Sequence, residues 1–444
     1  MTSTDSEKTV LDPAFVVSGR KRSLPWILHA LEDGRRMRFD HLQAHQEHAW
    51  HLFLVRTAAM LGPTDNWDER LRAEGDIWDI HPEPGECGFF QPEGNIEDDG
   101  YDRLDYVEQK DIIKVSGTNH RRKTHDPSDL DYWLYALVSS QTTNRRNGAF
   151  HRRCLRMSDT FGDRAYVSKV SGLSWPERFA SDVALARSKC GSALGIHFLW
   201  TEVFQGREID LEDCHPLMVD STRQQRMKGG RMYFNPSRDW PLSVNSGELS
   251  VEAVDLWQPV DKNAGDLKNT QSSGFTYELV RDYLAGEDYH IPALHDQKIQ
   301  GSVYFIAQTV AGQLNEAGSA GIHRRVVEIP SDEKVLFSED FGRRSQEYVG
   351  RAAEVTGAFA SAADAFFDGE LPGRATQHFG RLKESIDQAF FPHLFEHFGE
   401  EGAAQKWQSH VRSVASGLLD EMTQTGTDWE ARARAKNIFS RMAS

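Results

Sequence analysis

The sequence predicts an α+β protein in which a large mixed N-terminal domain, residues 1–342, precedes a C-terminal four-helix bundle, residues 343–444. Three observations support this fold class. A chain of 444 residues is long enough for two domains. Up to residue 342 short strand-like and helical segments are mixed, without regular β/α alternation. After Phe341 the apolar residues recur at alternating spacings of four and three, which is typical of helices packed in a bundle.

The mixed domain is predicted from local patterns, taken in chain order. Residues 1–22 lack periodicity and are expected to form a poorly ordered tail or an extended arm. Pro25 suits the first turn of a helix, and the pair Gly62-Pro63 ends the next one. The predicted helices cover 24–31, 39–61, 129–143 and 176–189, and the predicted strands cover 88–92, 165–172 and 323–330.

Four apolar stripes predict the bundle. The first contains Tyr348, Ala352, Val355, Phe359, Ala362 and Phe366, and the others begin near Phe379, Trp407 and Trp429. Gly369 and Pro372 stop the first helix, and Gly399 closes the second. Thr427 and Glu430 have the spacing of a capping box for the fourth helix.

Composition excludes several classes of protein. No run of eighteen apolar residues is present, and the first residues are polar, so neither a membrane span nor a secretory signal is expected. The cysteines are far apart and include no Cys-x-x-Cys pair, which fits a reducing cytoplasm and argues against a zinc ribbon. They are Cys87, Cys154, Cys190 and Cys214. We therefore expect a cytoplasmic protein that has no membrane partner and no cofactor.

Charge is distributed unevenly, although the net charge is −16. Residues 65–111 contain sixteen acidic and four basic side chains, whereas 114–156 contain nine Lys or Arg and three Asp. The basic residues lie in two loops on either side of the helix predicted at 129–143. Such loops could hold a phosphate backbone, or they could be solvated surface that balances the acidic segment.

The histidines of AHQEHAWH raise the possibility of a metal site. His45, His48 and His51 are three residues apart on one helix, and three imidazoles can bind zinc or iron. However, this spacing spreads the rings over an arc of about 120°, given roughly 100° per residue. The sequence has no HExxH motif, no GxSxG elbow and no phosphate-binding glycine loop. A metal-dependent hydrolase that uses these histidines is the alternative to a non-catalytic binding protein.

Polar and basic loops are the remaining candidates for function. Asn and Arg side chains can contact base edges, whereas Lys and backbone amides contact phosphates. The candidate DNA-binding residues are Asn119, His120, Arg121, Arg122, Lys123, Arg145, Arg146, Asn147, Gly148, Lys262, Gln297, Lys298 and Arg324. Because these loops share this chemistry and no catalytic group accompanies them, they favour a nucleic-acid-binding protein over an enzyme.

Several segments resemble the large subunit (CasA type) of the type I-E CRISPR Cascade complex. They extend from SLPWILHAL and LQAHQEHAWHLFLVRTAAM, through VSGTNH with its basic residues, WLYALVSSQT and FLWTE, to DCHPLMVDSTRQQRM, LWQPVDKNAG and GFTYELV. Their order and spacing carry the resemblance. In that family the histidine-containing helix is structural and a bundle ends the chain.

The sequence also departs from the family pattern. Arginines in NRRNG (144–148) stand near the place of the family's glycine-rich minor-groove loop, and Thr118 replaces a lysine. An expanded loop carries Gln313 and Arg324, and Gln297 is the nearest candidate for the family's wedge glutamine. Which flanking motif is read is therefore left open.

The resemblance implies a non-catalytic subunit that recognises the protospacer-adjacent motif in double-stranded DNA and helps to open the duplex. It also implies partners. These would be the backbone, small and guide-end-binding Cascade subunits, the CRISPR RNA, the target DNA and a recruited helicase–nuclease for antiviral defence.

Overall fold

The structure is a computed structural model. It describes residues 8–97, 100–104, 129–142, 165–202, 208–210, 213–221, 224–235, 243–245, 255–264, 270, 273–299, 301–311, 321–330, 336–369, 373–424 and 428–443. No helix within these ranges is long and apolar enough to cross a membrane.

The chain divides into two compact units. One, here called the mixed unit, comprises residues 1–274 and 289–328, and the other, the bundle unit, comprises residues 275–288 and 329–444. The boundary expected at 342/343 lies within a helix that begins at Glu339. The bundle unit thus includes the start of that helix and a short segment from earlier in the chain.

Helices occur in both units, and the described strands lie almost entirely in the mixed unit. The helices are α1 (Leu24–Glu32), α2 (Glu47–Leu61), α3 (Trp67–Arg72), α4 (Leu130–Thr142), α5 (Trp175–Cys190), α6 (Tyr277–Ala285), α7 (Pro292–His295), α8 (Glu339–Phe366), α9 (Gly373–Glu396), α10 (Ala403–Gln424) and α11 (Trp429–Met442). The strands are β1 (Phe15–Val17), β2 (Arg20–Arg22), β3 (Asp102–Arg103), β4 (Tyr166–Val170), β5 (Ile196–Phe198), β6 (Glu208–Asp210), β7 (Cys214–Val219), β8 (Gln225–Lys228), β9 (Arg231–Phe234), β10 (Ser243–Asn245), β11 (Val260–Asp261), β12 (Tyr289–His290), β13 (Val303–Ala311) and β14 (Gly321–Ile329).

The strands form small sheets. Two described sheets have three strands, in the orders β14-β13-β4 and β3-β9-β8. β13 runs antiparallel to β4, and β9 runs antiparallel to β3 and β8. β1 pairs with β2 and β11 with β12, both antiparallel, whereas β5 pairs with β7 and β6 with β10, both parallel. This mixture of small sheets and helices confirms the α+β class.

Aromatic rings fill the core of the mixed unit around Trp50 on α2. The ring of Trp50 lies 5.0 Å from that of Phe15, 5.9 Å from that of Phe39 and 5.1 Å from that of Tyr135, measured between centroids. All four side chains are at most 5% exposed. Tilted and edge-to-face rings at these distances stabilise a core beyond the burial of their area.

α2 begins later than predicted. It starts at Glu47, and the residues from Phe39 to Gln46, expected to be helical, form no helix. Phe39 instead forms a bridge with Val17, and the Nδ1 atom of His41 lies 2.8 Å from Oδ1 of Asp131. These contacts to distant parts of the chain override the helical spacing of the apolar residues.

Two further expectations for the mixed unit are wrong. Residues 8–22 are not a loose tail, since the Val10 amide donates to the carbonyl of Trp78 at 3.0 Å and β1 and β2 form a hairpin. The strand predicted at 88–92 is a turn with one isolated bridge between Gly88 and Gln91, where Phe90 has φ 53°. By contrast, α1, α4, α5, β4 and β14 lie where the sequence predicts them.

The C-terminal helices α8 to α11 confirm the predicted bundle. The ring of Tyr348 stacks on that of Trp407 at 5.8 Å, and Trp407 Nε1 donates to the Tyr348 carbonyl at 3.0 Å. Phe390 of α9 packs edge-on against Trp407 at 5.8 Å. The N-cap of α11 differs from the prediction. Asp428 caps the helix, because its carboxylate accepts hydrogen bonds from the amides of Glu430 and Ala431.

α6 belongs to the bundle unit although it precedes the rest of that unit by many residues. Buried Arg281 of α6 donates from Nε to the hydroxyl of Ser345 at 2.9 Å and from Nη2 to the carbonyl of Gly342 at 2.6 Å. The amide of Tyr277 donates to the carboxylate of Asp387 on α9 at 2.8 Å. These bonds tie α6 to α8 and α9.

Candidate nucleic-acid interface

The two predicted basic loops lie outside the described residues. They contain Asn119, His120, Arg121, Arg122, Lys123, Arg145, Arg146, Asn147 and Gly148. The helix between them is described. α4 is buried over most of its length, and the side-chain Nε2 of Gln141 near its end donates to the carbonyl of Phe90 at 2.9 Å. A helix fixed in the core therefore separates the two predicted loops in the sequence.

Lys262 and Lys298 are exposed and come from one small substructure of the mixed unit. Lys262 lies in the turn after β11, where Oδ1 of Asp261 accepts hydrogen bonds from the amides of Asn263 and Ala264 at 2.9 and 3.1 Å. β11 pairs with β12, and α7 and then Lys298 follow β12. A fixed turn and a paired strand hold both lysines at the surface, where an ammonium group can contact a phosphate.

Gln297 is not exposed as a base-reading residue would be. Its side chain is 6% exposed, and Nε2 donates to the carbonyl of Ser181 on α5 at 2.6 Å. The neighbouring Asp296 forms an ion pair with Lys189 of α5 at 2.6 Å. Reading a base would require breaking a buried hydrogen bond, so in this structure Gln297 anchors its loop to α5.

Arg324 on β14 is partly neutralised. Its side chain is 42% exposed, and Nη1 lies 3.7 Å from Oε2 of Glu47. The other oxygen of Glu47 accepts a 2.7 Å ion pair from Arg178, which is 2% exposed. Because Glu47 is shared between two guanidinium groups, Arg324 keeps part of its charge available to a phosphate.

Of the three histidines considered as metal ligands, His48 and His51 lie on α2, and His45 lies in the turn just before it. His45, His48 and His51 are at most 6% exposed. Among the described residues, no group of three or more His, Cys, Asp or Glu side chains is placed to hold a metal ion. Burial lowers the pKa of His48 to about 4, so this ring is neutral at pH 7. Within the described residues, the three histidines of the alternative hydrolase are therefore not grouped as metal ligands.

His51 instead belongs to a buried network centred on Asp182 of α5. The carboxylate of Asp182 lies 2.7 Å from Nε2 of His51, and it accepts hydrogen bonds from the hydroxyls of Tyr166 and Ser168, both at 2.6 Å, and from Nε1 of Trp257 at 2.9 Å. Asp182 is fully buried. Burial acts to raise the pKa of this carboxyl, but the contacts with His51, Ser168 and Tyr166 outweigh it and lower the pKa. The network joins α2, α5 and β4 inside the mixed unit.

Sequence reasoning missed a concentration of exposed cations near the N-terminus. They come from β2 and from the loop after α1, and we call them the N-terminal basic surface. Its exposed members are Arg20, Lys21, Arg35, Arg36 and Arg38, and the half-buried Arg22 is the sixth. The runs Gly-Arg-Lys-Arg and Gly-Arg-Arg-Met-Arg carry the signal, but the two runs are brought together only by the pairing of β1 with both segments.

Comparison with known proteins identifies the fold. No model of a known protein family matches the sequence, and no curated protein is similar to it in sequence. Solved structures do match over nearly the full length. The structure of Thermus thermophilus CasA (Cse1) superposes with a TM-score of 0.66 at 14% identity, over 98% of this chain and 99% of that chain. The chain has the CasA fold.

Two further structures share the CasA fold with this chain. Thermobifida fusca Cse1 superposes with a TM-score of 0.65 at 12% identity, over 98% of this chain and 96% of that chain. A chain of a structure described as a CRISPR RNA-guided surveillance complex superposes with a TM-score of 0.64 at 12% identity, over 98% and 99% of the two chains. The resemblance predicted from the sequence segments is thereby confirmed for the fold.

Proposed function

We propose that this chain is the large subunit of a type I-E-like CRISPR RNA-guided complex. The observation that carries the proposal is the match to CasA structures over nearly the whole of both chains. One matching chain comes from a structure described as an RNA-guided surveillance complex. In the proposal this chain assembles in the cytoplasm with backbone, small and guide-end-binding subunits around a CRISPR RNA.

The proposed role is recognition of DNA without catalysis. Base pairing with the guide reads the target strand, while the protein reads a short flanking motif in the duplex and helps to open it. The exposed Lys262 and Lys298, with the basic loops on either side of α4, supply phosphate contacts. The opened complex then recruits a helicase–nuclease for antiviral defence.

Base reading is assigned to Asn119 and not to Gln297. A side chain that reads a base must present free donors and acceptors to the groove. The donor of Gln297 is bound to the carbonyl of Ser181, whereas Asn119 belongs to the basic segment that precedes α4 in the sequence. Asn147 and His120 are further polar candidates of the two predicted loops, and Gly148 would allow close approach to the minor groove.

A test of the phosphate contacts uses the assembled complex. We expect Arg121→Gln/Arg122→Gln to weaken binding of target duplex and to reduce the slope of log affinity against log salt by about 2, since each phosphate contact adds about 0.9. The matched control is Arg72→Gln/Lys228→Gln. It removes the same charge from two exposed residues that already pair with Asp68 and Glu97. Equal slopes for the two double variants would show that these loops are solvated surface.

A test of base reading uses two duplexes that differ only in the flanking motif. Asn119→Ala should narrow the difference in binding free energy between them by about 1–3 kcal/mol and leave the salt slope unchanged. Gln297→Ala should leave that difference unchanged and lower the stability of the protein, because the carbonyl of Ser181 loses its donor. The reverse pattern would reassign base reading to Gln297.

A further inference from the structure

The N-terminal basic surface is built from three extended segments that lie side by side. β1 pairs on one edge with β2, where Val17 lies opposite Arg20. On its other edge the amide of Ser18 donates to the carbonyl of Arg38 at 2.8 Å, and Val17 forms a bridge with Phe39. β2 and the segment around Arg38 are therefore two strand spacings apart, about 10 Å.

Sheet alternation places two of the cations on the outward side of this arrangement. Val17 and Phe39 are buried and mark the inward side. Lys21 lies opposite Val16, and Arg38 precedes Phe39, so both lie on the outward side. Arg20 lies opposite Val17 and therefore on the other side of β2, but it is exposed at the end of the hairpin. Arg22 is fixed in place by Trp26, since its guanidinium carbon lies 4.2 Å from the centre of the indole ring.

Part of this positive charge has no carboxylate within ion-pair distance. Arg35 pairs with Asp33 at 2.7 Å, and Arg38 pairs with Asp40 at 2.6 Å. Within the described part of the chain, Arg20 and Arg36 are exposed and form no ion pair with a carboxylate within 4 Å. Hydrogen bonds from Ser174 lower the pKa of Glu177, and the nearby charge of Arg36 lowers it to a smaller extent. The carboxylate of Glu32 accepts a hydrogen bond from the indole of Trp67 at 2.7 Å. Cations within about 10 Å of one another act as one field at physiological salt.

The chemistry of the surface favours a phosphate backbone over an acidic protein. Five of its six cations are arginines, whose planar forks suit the oxygens of a phosphate. The large apolar side chains exposed in the described residues are Leu173, Leu194, Ile322, Val326, Trp429 and Met442, and none belongs to this surface. Protein interfaces have apolar centres, whereas interfaces with nucleic acids are polar and strongly positive.

We propose that the N-terminal basic surface binds the phosphate backbone of a nucleic acid, at a site separate from the loops on either side of α4. The choice of a nucleic acid as ligand rests on the proposed function. The surface would add sequence-independent contacts, because guanidinium and ammonium groups that meet phosphates carry no base information. Its effect would be on affinity and on salt dependence.

The test measures binding of a short DNA duplex of mixed sequence to the isolated full chain, over a range of salt concentrations. We expect Arg20→Gln/Arg36→Gln to reduce the slope of log affinity against log salt by about 2, close to 1 per phosphate contact. The matched control is again Arg72→Gln/Lys228→Gln, which changes the net charge equally. Circular dichroism and thermal melting are used to check that both variants fold. If Arg20→Gln/Arg36→Gln does not fold, Lys21→Gln/Arg36→Gln takes its place.

Three results would overturn the proposal. The first is no binding by the parent chain at low salt, and the second is equal slopes for the basic-surface and control variants. The third is that poly-glutamate displaces the duplex as effectively as a competing duplex of equal charge, which would assign the surface to an acidic protein. Because the isolated chain is used, a failure to assemble with other subunits would refute the proposed function and leave this result standing.

Discussion

The mixed unit and the bundle unit are stabilised in different ways. The bundle unit depends on apolar stripes, such as the stacked rings of Tyr348 and Trp407. The mixed unit places a charged group at its centre, where the buried carboxylate of Asp182 joins α2, α5 and β4. Regular apolar spacing is visible in a sequence, whereas a buried polar network is assembled from distant residues. The two units should therefore respond differently to mutation and to pH.

The largest effect is expected at Asp182. Asp182→Ala removes the carboxylate that accepts hydrogen bonds from Tyr166, Ser168 and Trp257 at 2.6–2.9 Å, and removing one partner of such a network costs about 3–5 kcal/mol. Urea unfolding monitored by hydrogen–deuterium exchange should show that the loss of stability occurs in the mixed unit. Asp182→Asn keeps the shape of the side chain and one acceptor oxygen, so this variant should lose less stability than Asp182→Ala. Stabilities within 1 kcal/mol of the parent for both variants would show that the network contributes little.

Acid should destabilise the mixed unit before it protonates ordinary carboxylates. The pKa of His48 is about 4 in the folded protein against 6.5 for the free side chain, so the unfolded chain binds the extra proton first. The free energy of unfolding is greatest above pH 6.5 and falls as the pH drops towards 4. The expected loss is about 3 kcal/mol, because each unit of pKa shift corresponds to roughly 1.4 kcal/mol. Burial also lowers the pKa of His51, which acts in the same direction.

The measurement is the free energy of unfolding between pH 8 and pH 4, compared for the parent and His48→Gln. The variant cannot gain a proton at this position, so its curve should be flatter over that range. Parallel curves would mean that His48 is accessible to protons in the folded protein.

A smaller effect is expected for the buried arginine that joins α6 to the rest of the bundle unit. Arg281→Ala removes the donors to Ser345 and Gly342, and hydrogen bonds from a charged group contribute about 1.5–3 kcal/mol. The ammonium group of Arg281→Lys cannot donate in the two directions of the planar guanidinium group. This variant should therefore recover only part of the stability that Arg281→Ala loses. Increased hydrogen exchange confined to residues 275–288 and α8 would support this view. A loss spread evenly over the whole chain would contradict it.

The smallest effect is expected on the bundle surface. Arg381 of α9 and Glu421 of α10 form an exposed ion pair at 2.5 Å. Exposed pairs are screened by water and salt, so Arg381→Ala should leave the midpoint of urea unfolding unchanged within error. A clear shift of the midpoint would show that charge pairs, and not apolar stripes alone, hold the bundle together.

The bundle could be predicted from the sequence because each of its helices buries one stripe of its own residues. The start of α2 could not, since Phe39 has helical spacing but is held by Val17 of β1. The Asp182 network escaped prediction for the same reason. Its partners His51 and Trp257 lie 131 and 75 residues away along the chain.

The candidate site was predictable only in part. The exposure of Lys262 and Lys298 follows from turn residues and polarity, whereas the burial of Gln297 depends on the distant carbonyl of Ser181. The N-terminal basic surface was visible as two basic runs, but their pairing across β1 requires the tertiary structure.

The most direct test of the proposed function is reconstitution of the RNA-guided complex with and without this chain. The measurement is the affinity for target duplexes that carry either the correct or an altered flanking motif. We expect this chain to co-purify with the complex, and we expect discrimination between the two duplexes only when it is present. A complex that excludes the chain, or that discriminates equally well without it, would contradict its role as the large subunit.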